Sequence, residues 1–220
     1  MQIQLYHLQH SRSQRIVWLL EELELDYELI LHQQSQVEHK YPRLIFQHHQ
    51  NEPLELSETA SICHFLCERE KQLIIESSQT DYWDFCYFQH FADASLMPLL
   101  LMKQLYTQTA QRTPWLFRWV SLSFKYGINR FYLAPELHQH LHKIEQHFKD
   151  HTYVANHFSY ADILLWFPLK ACSYALNDFE QYPEIHRYLN QLESKPSFQS
   201  AQQKGQWNEQ TFKNYWTITR

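Results

Sequence analysis

Only 2 of the 220 residues are glycine, where average usage would supply about fifteen. This shortage constrains the fold more than any other feature of the chain. Glycine is the residue that enters φ > 0 without steric penalty. Gly-containing turns, phosphate-cradling loops and flexible linkers all draw on that freedom. A dinucleotide fingerprint needs three glycines within six residues, and a P-loop needs two beside a lysine. Gly127 and Gly205 stand alone, so both motifs are excluded. Turn-rich all-β folds are disfavoured on the same ground. The expectation is a largely helical chain that mostly avoids φ > 0.

The remaining composition narrows the function classes. Hydrophobic residues make up 44% and aromatics 16%, enough for a large buried core and too many for global disorder. The net charge of −5 and the lack of a basic stripe give no footprint for nucleic acid. The longest apolar run, Leu96–Met102, stops at Lys103, far short of the roughly 18 residues a membrane span needs. The opening MQIQLYHL reads as a strand, not a leader peptide. Cys63, Cys67, Cys86 and Cys172 form no CxxC pair and sit in apolar, helical contexts. They read as buried, reduced thiols of a cytoplasmic protein.

Periodicity divides the chain. Ile3, Leu5 and Leu8 belong to an alternating opening strand, RIVWLLEELEL has helical spacing, and residues 26–31 form a second strand. This is a β-α-β unit with an expected right-handed crossover. RLIFQ (43–47) and LEL (54–56) read as a hairpin around HHQNEP. A helix then opens at Ser57-Glu58-Thr59. After a polar connector at 74–80, helical stretches follow at about 80–109, 114–130, 135–151, 160–176, 183–193 and 197–204. Pro114, Pro135, Pro183 and Pro196 lie at or near their starts, where a missing N–H is tolerated. The fold class is therefore a thioredoxin-like α/β domain (1–75) followed by an all-α bundle (81–220).

Several segments could carry chemistry. Ser11 and Ser13 precede the first helix. A serine there either caps the helix or holds an anion that the helix dipole also favours. His39-Lys40-Tyr41-Pro42 is either an ordinary turn or, if the Tyr41–Pro42 peptide is cis, a segment exposing the backbone of Tyr41. Ser57-Glu58-Thr59 either caps a helix or binds a zwitterionic amino-acid head. Ser159 and Asp162 have capping-box spacing and read as structural. His138, His140, His142, His147 and His151 include two i, i+4 pairs, but no HExxH accompanies them. They read as a solvated surface and not as a metal site. Cys63 and Cys67, also i, i+4, read as packing.

Taken together, these segments resemble the glutathione transferase superfamily. LYHLQHSRSQRIVWLLEELELDYELI is similar to its first strand, helix and second strand, and especially to a serine-type bacterial and fungal group with an SR-then-R pattern. His39-Lys40-Tyr41-Pro42-Arg43-Leu44 is similar to G-K-x-P-x-L, whose proline is cis. Glu58-Thr59-Ala60-Ser61-Ile62 is similar to E-S-G-A-I. YVANHFSYADILLWFPL and YPEIHRYLNQLESKPSFQSA resemble later motifs, in order. The chain departs from the pattern in a stretch before Pro42 about a dozen residues shorter than usual. It also departs at three family glycines, replaced by His39, Ala60 and Asn156.

The resemblance implies a thioredoxin-like domain that binds glutathione, with no metal, in a homodimer. It implies that Ser11 contacts the glutathione sulfur, with Ser13 as its local rival. Lys40 would face the glycyl carboxylate, and Tyr41, before Pro42, would pair its backbone with the cysteinyl part. Glu58 and Thr59 would bind the γ-glutamyl head. The activity implied is conjugation of the thiolate to small hydrophobic electrophiles. The wall for the electrophile is expected from the helix at 81–102 and from Tyr106, Trp115 or Trp119. A non-catalytic ligand- or protein-binding module and a glutathione-dependent peroxidase are the alternative readings.

Overall fold

The computed structural model describes residues 2–33, 40–47 and 52–217. Strand β1 (Gln2–Leu8) leads through helix α1 (Gln14–Glu22) to β2 (Glu28–His32). Strands β3 (Arg43–Gln47) and β4 (Leu54–Ser57) follow, and helix α2 (Thr59–Glu70) closes the unit. The sheet order is β2-β1-β3-β4. β1 runs parallel to β2 and antiparallel to β3, so Leu5 sits opposite both Leu29 and Leu44. β4 pairs antiparallel with β3, placing Leu44 opposite Leu56.

The pleat of β1 corrects the expected alternation. Ile3, Leu5 and His7 share the buried face, while Leu8 is half-buried on the other side of the phase. Period two therefore aims an imidazole, not Leu8, into the core.

The helical part begins with α3 (Tyr82–Phe91), a π-helical turn (Ala92–Leu96) and α4 (Met97–Arg112), joined into one rod. A 3-10 turn (Trp115–Phe117) leads into α5 (Arg118–Ile128), a second π-helical turn (Asn129–Leu133) and α6 (Ala134–Asp150). The stretches expected as separate helices at 114–130 and 135–151 are thus continuous. Each π turn ends two residues before a proline, Pro98 or Pro135. A proline has no N–H for the i→i−4 ladder and crowds the preceding turn. The wider π turn accommodates both defects without ending the rod.

Helix α7 (Tyr160–Ala175) runs through the core with thirteen buried side chains, including Trp166 and Phe167. Helices α8 (Pro183–Glu193), α9 (Pro196–Lys204) and α10 (Glu209–Trp216) complete the chain. The sequence reading overlooked α10, which buries Phe212 and Trp216 four residues apart and starts where Asn208 accepts the Thr211 N–H at 2.9 Å. The expected capping box at the start of α7 is present. The Asp162 carboxylate accepts from the Ser159 N–H (2.8 Å), the Ser159 hydroxyl (3.0 Å), the Val154 N–H (2.9 Å) and the Tyr188 hydroxyl (2.9 Å). Burial pushes its pKa up to about 6, against the pull of those donors.

Helix α1 joins the two halves. It buries every residue from Gln14 to Leu20 and packs on α2, α7 and α9. Arg15, fully buried, donates to Asp93 Oδ1 at 3.0 Å and to the Leu164 carbonyl at 2.9 Å. The strand-helix unit is thereby tied to the first π turn and to α7.

The glycine shortage has a structural counterpart. Six non-glycine residues among those described take positive φ (His10, Glu24, Glu58, Lys71, Leu73 and Gln206), and neither glycine does. Gly205 is instead required by close approach. A Cβ there would lie 2.2 Å from Gln14 Oε1 and 3.0 Å from the Ala201 carbonyl oxygen.

Candidate active site

A cavity of about 470 Å³ lies beside the carboxyl end of β1. Four chain segments line it: Leu8 from β1, Ser11 and Arg12 before α1, Lys40-Tyr41-Pro42 before β3, and Glu58-Thr59 at the start of α2. The Tyr41–Pro42 peptide is cis. Six of the seven residues singled out in the sequence meet here. His39 and the shortened stretch at 34–39 lie outside the described residues, as do 48–51 of the expected hairpin turn.

Ser13, the seventh, faces inward and is fully buried. It occupies the residue before α1, yet its side chain caps nothing. Its hydroxyl sits 2.7 Å from His7 Nδ1, 2.8 Å from Ser11 Oγ, and 3.1 Å from both the Leu8 N–H and the Leu8 carbonyl. Proton positions follow from the partners. His7 Nε2 lies 3.1 Å from the Gly205 carbonyl, which only accepts, so Nε2 carries the hydrogen. Nδ1 is then an acceptor, and the short contact takes the Ser13 hydrogen. Ser13 Oγ in turn accepts from Ser11. Burial lowers the His7 pKa to about 4, which keeps the ring neutral. The resting Ser11 hydroxyl therefore points its hydrogen at Ser13, while its oxygen also accepts the Ser13 N–H at 3.2 Å.

Glu58 precedes α2 with φ 74° and ψ 121°. That region is sterically poor for a residue with a Cβ and stores on the order of 1–3 kcal/mol. Ala60, one of the replaced family glycines, has ordinary helical backbone inside α2. The positive φ lies two residues earlier, at Glu58. Thr59 is buried as the first residue of α2, beside the unpaired N–H groups of its first turn.

The cavity is charged in a particular pattern. Arg12 and Lys40 supply two cations and Glu58 one anion. Arg12, Leu8 and His7 were not foreseen as site residues. His7 had a readable signal, a polar residue in phase with Ile3 and Leu5.

Other candidates sit elsewhere. Cys63 and Cys67 are fully buried and free, and burial raises both thiols, Cys63 to about 12. Such thiols are poor nucleophiles. Of the histidines along α6, His142 is exposed as expected, whereas His138, His140 and His147, with His151 just after the helix, are half-buried. His138 Nδ1 pairs with the Tyr182 hydroxyl at 2.7 Å, and His147 Nε2 accompanies the Val154 carbonyl at 3.0 Å. His151 stacks on His147 with ring centroids 4.2 Å apart. Tyr106 lines a different cavity, and Trp115 and Trp119 are 85% and 69% exposed, so none of the three walls this one.

Comparison with known proteins agrees with this architecture. Residues 128–196 match the family described as "Glutathione S-transferase, C-terminal domain". The chain is 30% identical to glutathione S-transferase 3 of Schizosaccharomyces pombe over 190 residues, covering 77% of this chain and 74% of that protein. A glutathione S-transferase from Actinobacillus pleuropneumoniae superposes with a TM-score of 0.75 at 25% identity, over 99% of this chain and 100% of the other. A glutathione transferase from Pseudomonas putida, solved with one glutathione disulfide per subunit, gives 0.71 at 21% identity over 91% and 90% of the two chains. With the sheet order, the helical domain and these relationships in hand, the chain belongs to the glutathione S-transferase superfamily.

Proposed function

We propose that this cavity binds glutathione and that the protein conjugates its thiolate to small hydrophobic electrophiles. The observation that carries the reading is the convergence of Ser11, Lys40, Tyr41, Glu58 and Thr59 on one cavity. Glutathione has two carboxylates and one ammonium. Arg12 and Lys40 against Glu58 give the complementary pattern. In this reading Glu58 and Thr59 take the γ-glutamyl head. Tyr41 offers backbone groups to the cysteinyl residue, and Lys40 faces the glycyl carboxylate.

Chemistry then depends on ionising the thiol. A thiol with a pKa of about 8.5 is only a few per cent thiolate at neutral pH. Lowering it by about two units takes roughly 2.7 kcal/mol of differential stabilisation. Two contributions are available. The N-terminus of α1 favours an anion. The Ser11 hydroxyl can also turn from Ser13 to the sulfur, giving up a neutral hydrogen bond of about 1 kcal/mol for a stronger, charge-assisted one. Ser13 keeps its bonds to His7 and to the Leu8 N–H after that turn. The thiol proton leaves to water. The sulfur lone pair forms the S–C bond, and the leaving group departs with the electrons of its own bond. Ser11 stabilises the nucleophile and is not itself one.

Calorimetric titration with glutathione and turnover of a chlorodinitrobenzene test this reading together. Saturable binding with conjugate formation supports it. Binding without turnover assigns the protein to the non-catalytic alternative, and turnover of peroxides alone to the peroxidase alternative. The family also supports a homodimer, which sedimentation measures directly.

A further inference from the structure

Helix α5 leaves an unusual amount of apolar surface uncovered. It buries no side chain, whereas even the short helices α9 and α10 bury two each. The 3-10 turn before it buries none either. Trp115, Leu116, Phe117, Trp119, Phe124 and Tyr126 are each more than half exposed. Single exposed apolar residues are ordinary on a protein surface, but a cluster of large ones marks an interaction site. Its shape follows from the chain. Trp115-Leu116-Phe117 is the turn between α4, which ends at Arg112, and α5, which starts at Arg118, so it stands at the tip of a helical hairpin. Trp119, Leu122 and Tyr126 then share one side of α5 at spacings of three and four. Arg118 and Lys125, four before and three after Leu122, lie on that same side.

The charge of this region has one sign. Lys103, Arg112, Arg118, Lys125 and Arg130 lie between Asp93 and Glu136, and no Asp or Glu does, in a chain whose net charge is −5. Arg112, Arg118 and Arg130 are exposed and Lys125 is half-buried. Among the described residues none of these four is in an ion pair. Charge and apolarity together select the occupant. A second copy of the chain would bring the same cations face to face across a two-fold axis. A nucleic acid would satisfy the cations but leave Leu116, Phe117 and Leu122 against a phosphate backbone. An anionic lipid surface answers both features. Its phosphates accept from Arg and Lys, and Trp, Tyr and aliphatic side chains enter the boundary between headgroups and acyl chains. Such seating needs no membrane-crossing helix, and among the described residues there is none long and apolar enough to be one.

We infer that the tip of the α4–α5 hairpin and the aromatic side of α5 dock on an anionic lipid surface. Trp115, Leu116, Phe117 and Trp119 enter the headgroup boundary, and Arg112, Arg118 and Lys125 meet lipid phosphates. None of these residues lines the cavity of Ser11 and Lys40, so the inference is independent of the glutathione reading.

Vesicle flotation of the full chain tests it, with vesicles of phosphatidylcholine alone and of phosphatidylcholine mixed with phosphatidylglycerol. The expected result is binding to the anionic vesicles only, released by high salt. Arg112→Gln/Arg118→Gln is expected to weaken it by about twentyfold, and Trp115→Ala/Trp119→Ala by about tenfold. Trp83→Ala, at the opposite end of the α3–α4 rod, leaves it unchanged. Circular dichroism identifies the variants that fold. Quenching of wild-type tryptophan fluorescence by brominated lipid gives a reading that needs no variant. Absence of binding or of quenching in the wild type overturns the inference. Equal binding to both vesicles, or equal loss in Trp83→Ala, does so too. Sedimentation of Trp115→Ala/Trp119→Ala covers the remaining occupant. A dimer lost in that variant, with vesicle binding intact, gives the face to a second copy and overturns the inference.

Discussion

The Ser13 hydroxyl lies 2.7 Å from His7 Nδ1, and through that contact a buried imidazole sets the direction of the hydroxyl chain that ends at Ser11. The Gly205 carbonyl fixes the tautomer, the tautomer orients Ser13, and Ser13 orients Ser11.

His7 makes stability depend on pH with a definite sign. Its pKa is about 4 in the folded protein against 6.5 ordinarily, because burial disfavours the cation. The unfolded chain thus binds the extra proton first. The stabilisation is complete above about pH 6.5, fades as pH falls, and is gone below about 4, a loss of about 3 kcal/mol. Asp162 works oppositely, since its raised pKa penalises the fold as pH rises through about 6. Comparing wild type with His7→Leu isolates the histidine. Urea midpoints measured from pH 7 to 4 are expected to fall less steeply in the variant. Parallel curves would remove the buried neutral imidazole from the picture.

Arg15 and Asp93 link α1 to the first π turn. Arg15→Met leaves the half-buried Asp93 without its cation and is expected to destabilise the fold by about 3 kcal/mol. The double variant Arg15→Met/Asp93→Leu is expected to recover part of that. A double-mutant cycle in urea reads the coupling, and a coupling near zero contradicts the strut.

The two glycines predict opposite substitution effects. Gly127 lies inside α5 with nothing within 4 Å of a new Cβ, so Gly127→Ala is expected to stabilise by roughly 0.5–1 kcal/mol. At Gly205 a methyl group displaces the Gln14 amide, whose Nε2 donates to the Ala201 carbonyl at 2.8 Å. Gly205→Ala is expected to destabilise by about 1–3 kcal/mol. Thermal melts of the two variants should move in opposite directions.

Glu58 combines strain with position. Gly at φ 74° relieves the strain, so Glu58→Gly is expected to raise stability by about 1 kcal/mol while weakening glutathione binding about tenfold. Urea unfolding and calorimetry on the same sample check both signs. A variant that is both more stable and equally tight removes Glu58 from the site.

Much of this was legible in the sequence because local rules and tertiary packing agreed. Alternating Ile3 and Leu5, the Pro-started helices and the Ser159–Asp162 box each follow from one periodicity or one cap. What was missed depends on partners distant in sequence. The hydroxyl chain at Ser13 ends on Gly205, nearly two hundred residues away, so Ser11 and Ser13 could not be told apart from their neighbours alone. The π turn before Pro135 was hidden because proline ordinarily signals a boundary, and the one before Pro98 because the helical period runs through it. Helix α10 has only Phe212 and Trp216 as its apolar stripe, too short a pattern to stand without the core it meets.

The most direct test is the ionisation of bound glutathione, followed by thiolate ultraviolet absorbance across pH in wild type and Ser11→Ala. The expected result is a bound thiol that ionises about two units below the free one in wild type, and about one unit closer to free in the variant, with both still binding. Superimposed ionisation curves, or no bound glutathione at all, would contradict the role assigned to Ser11 and its cavity.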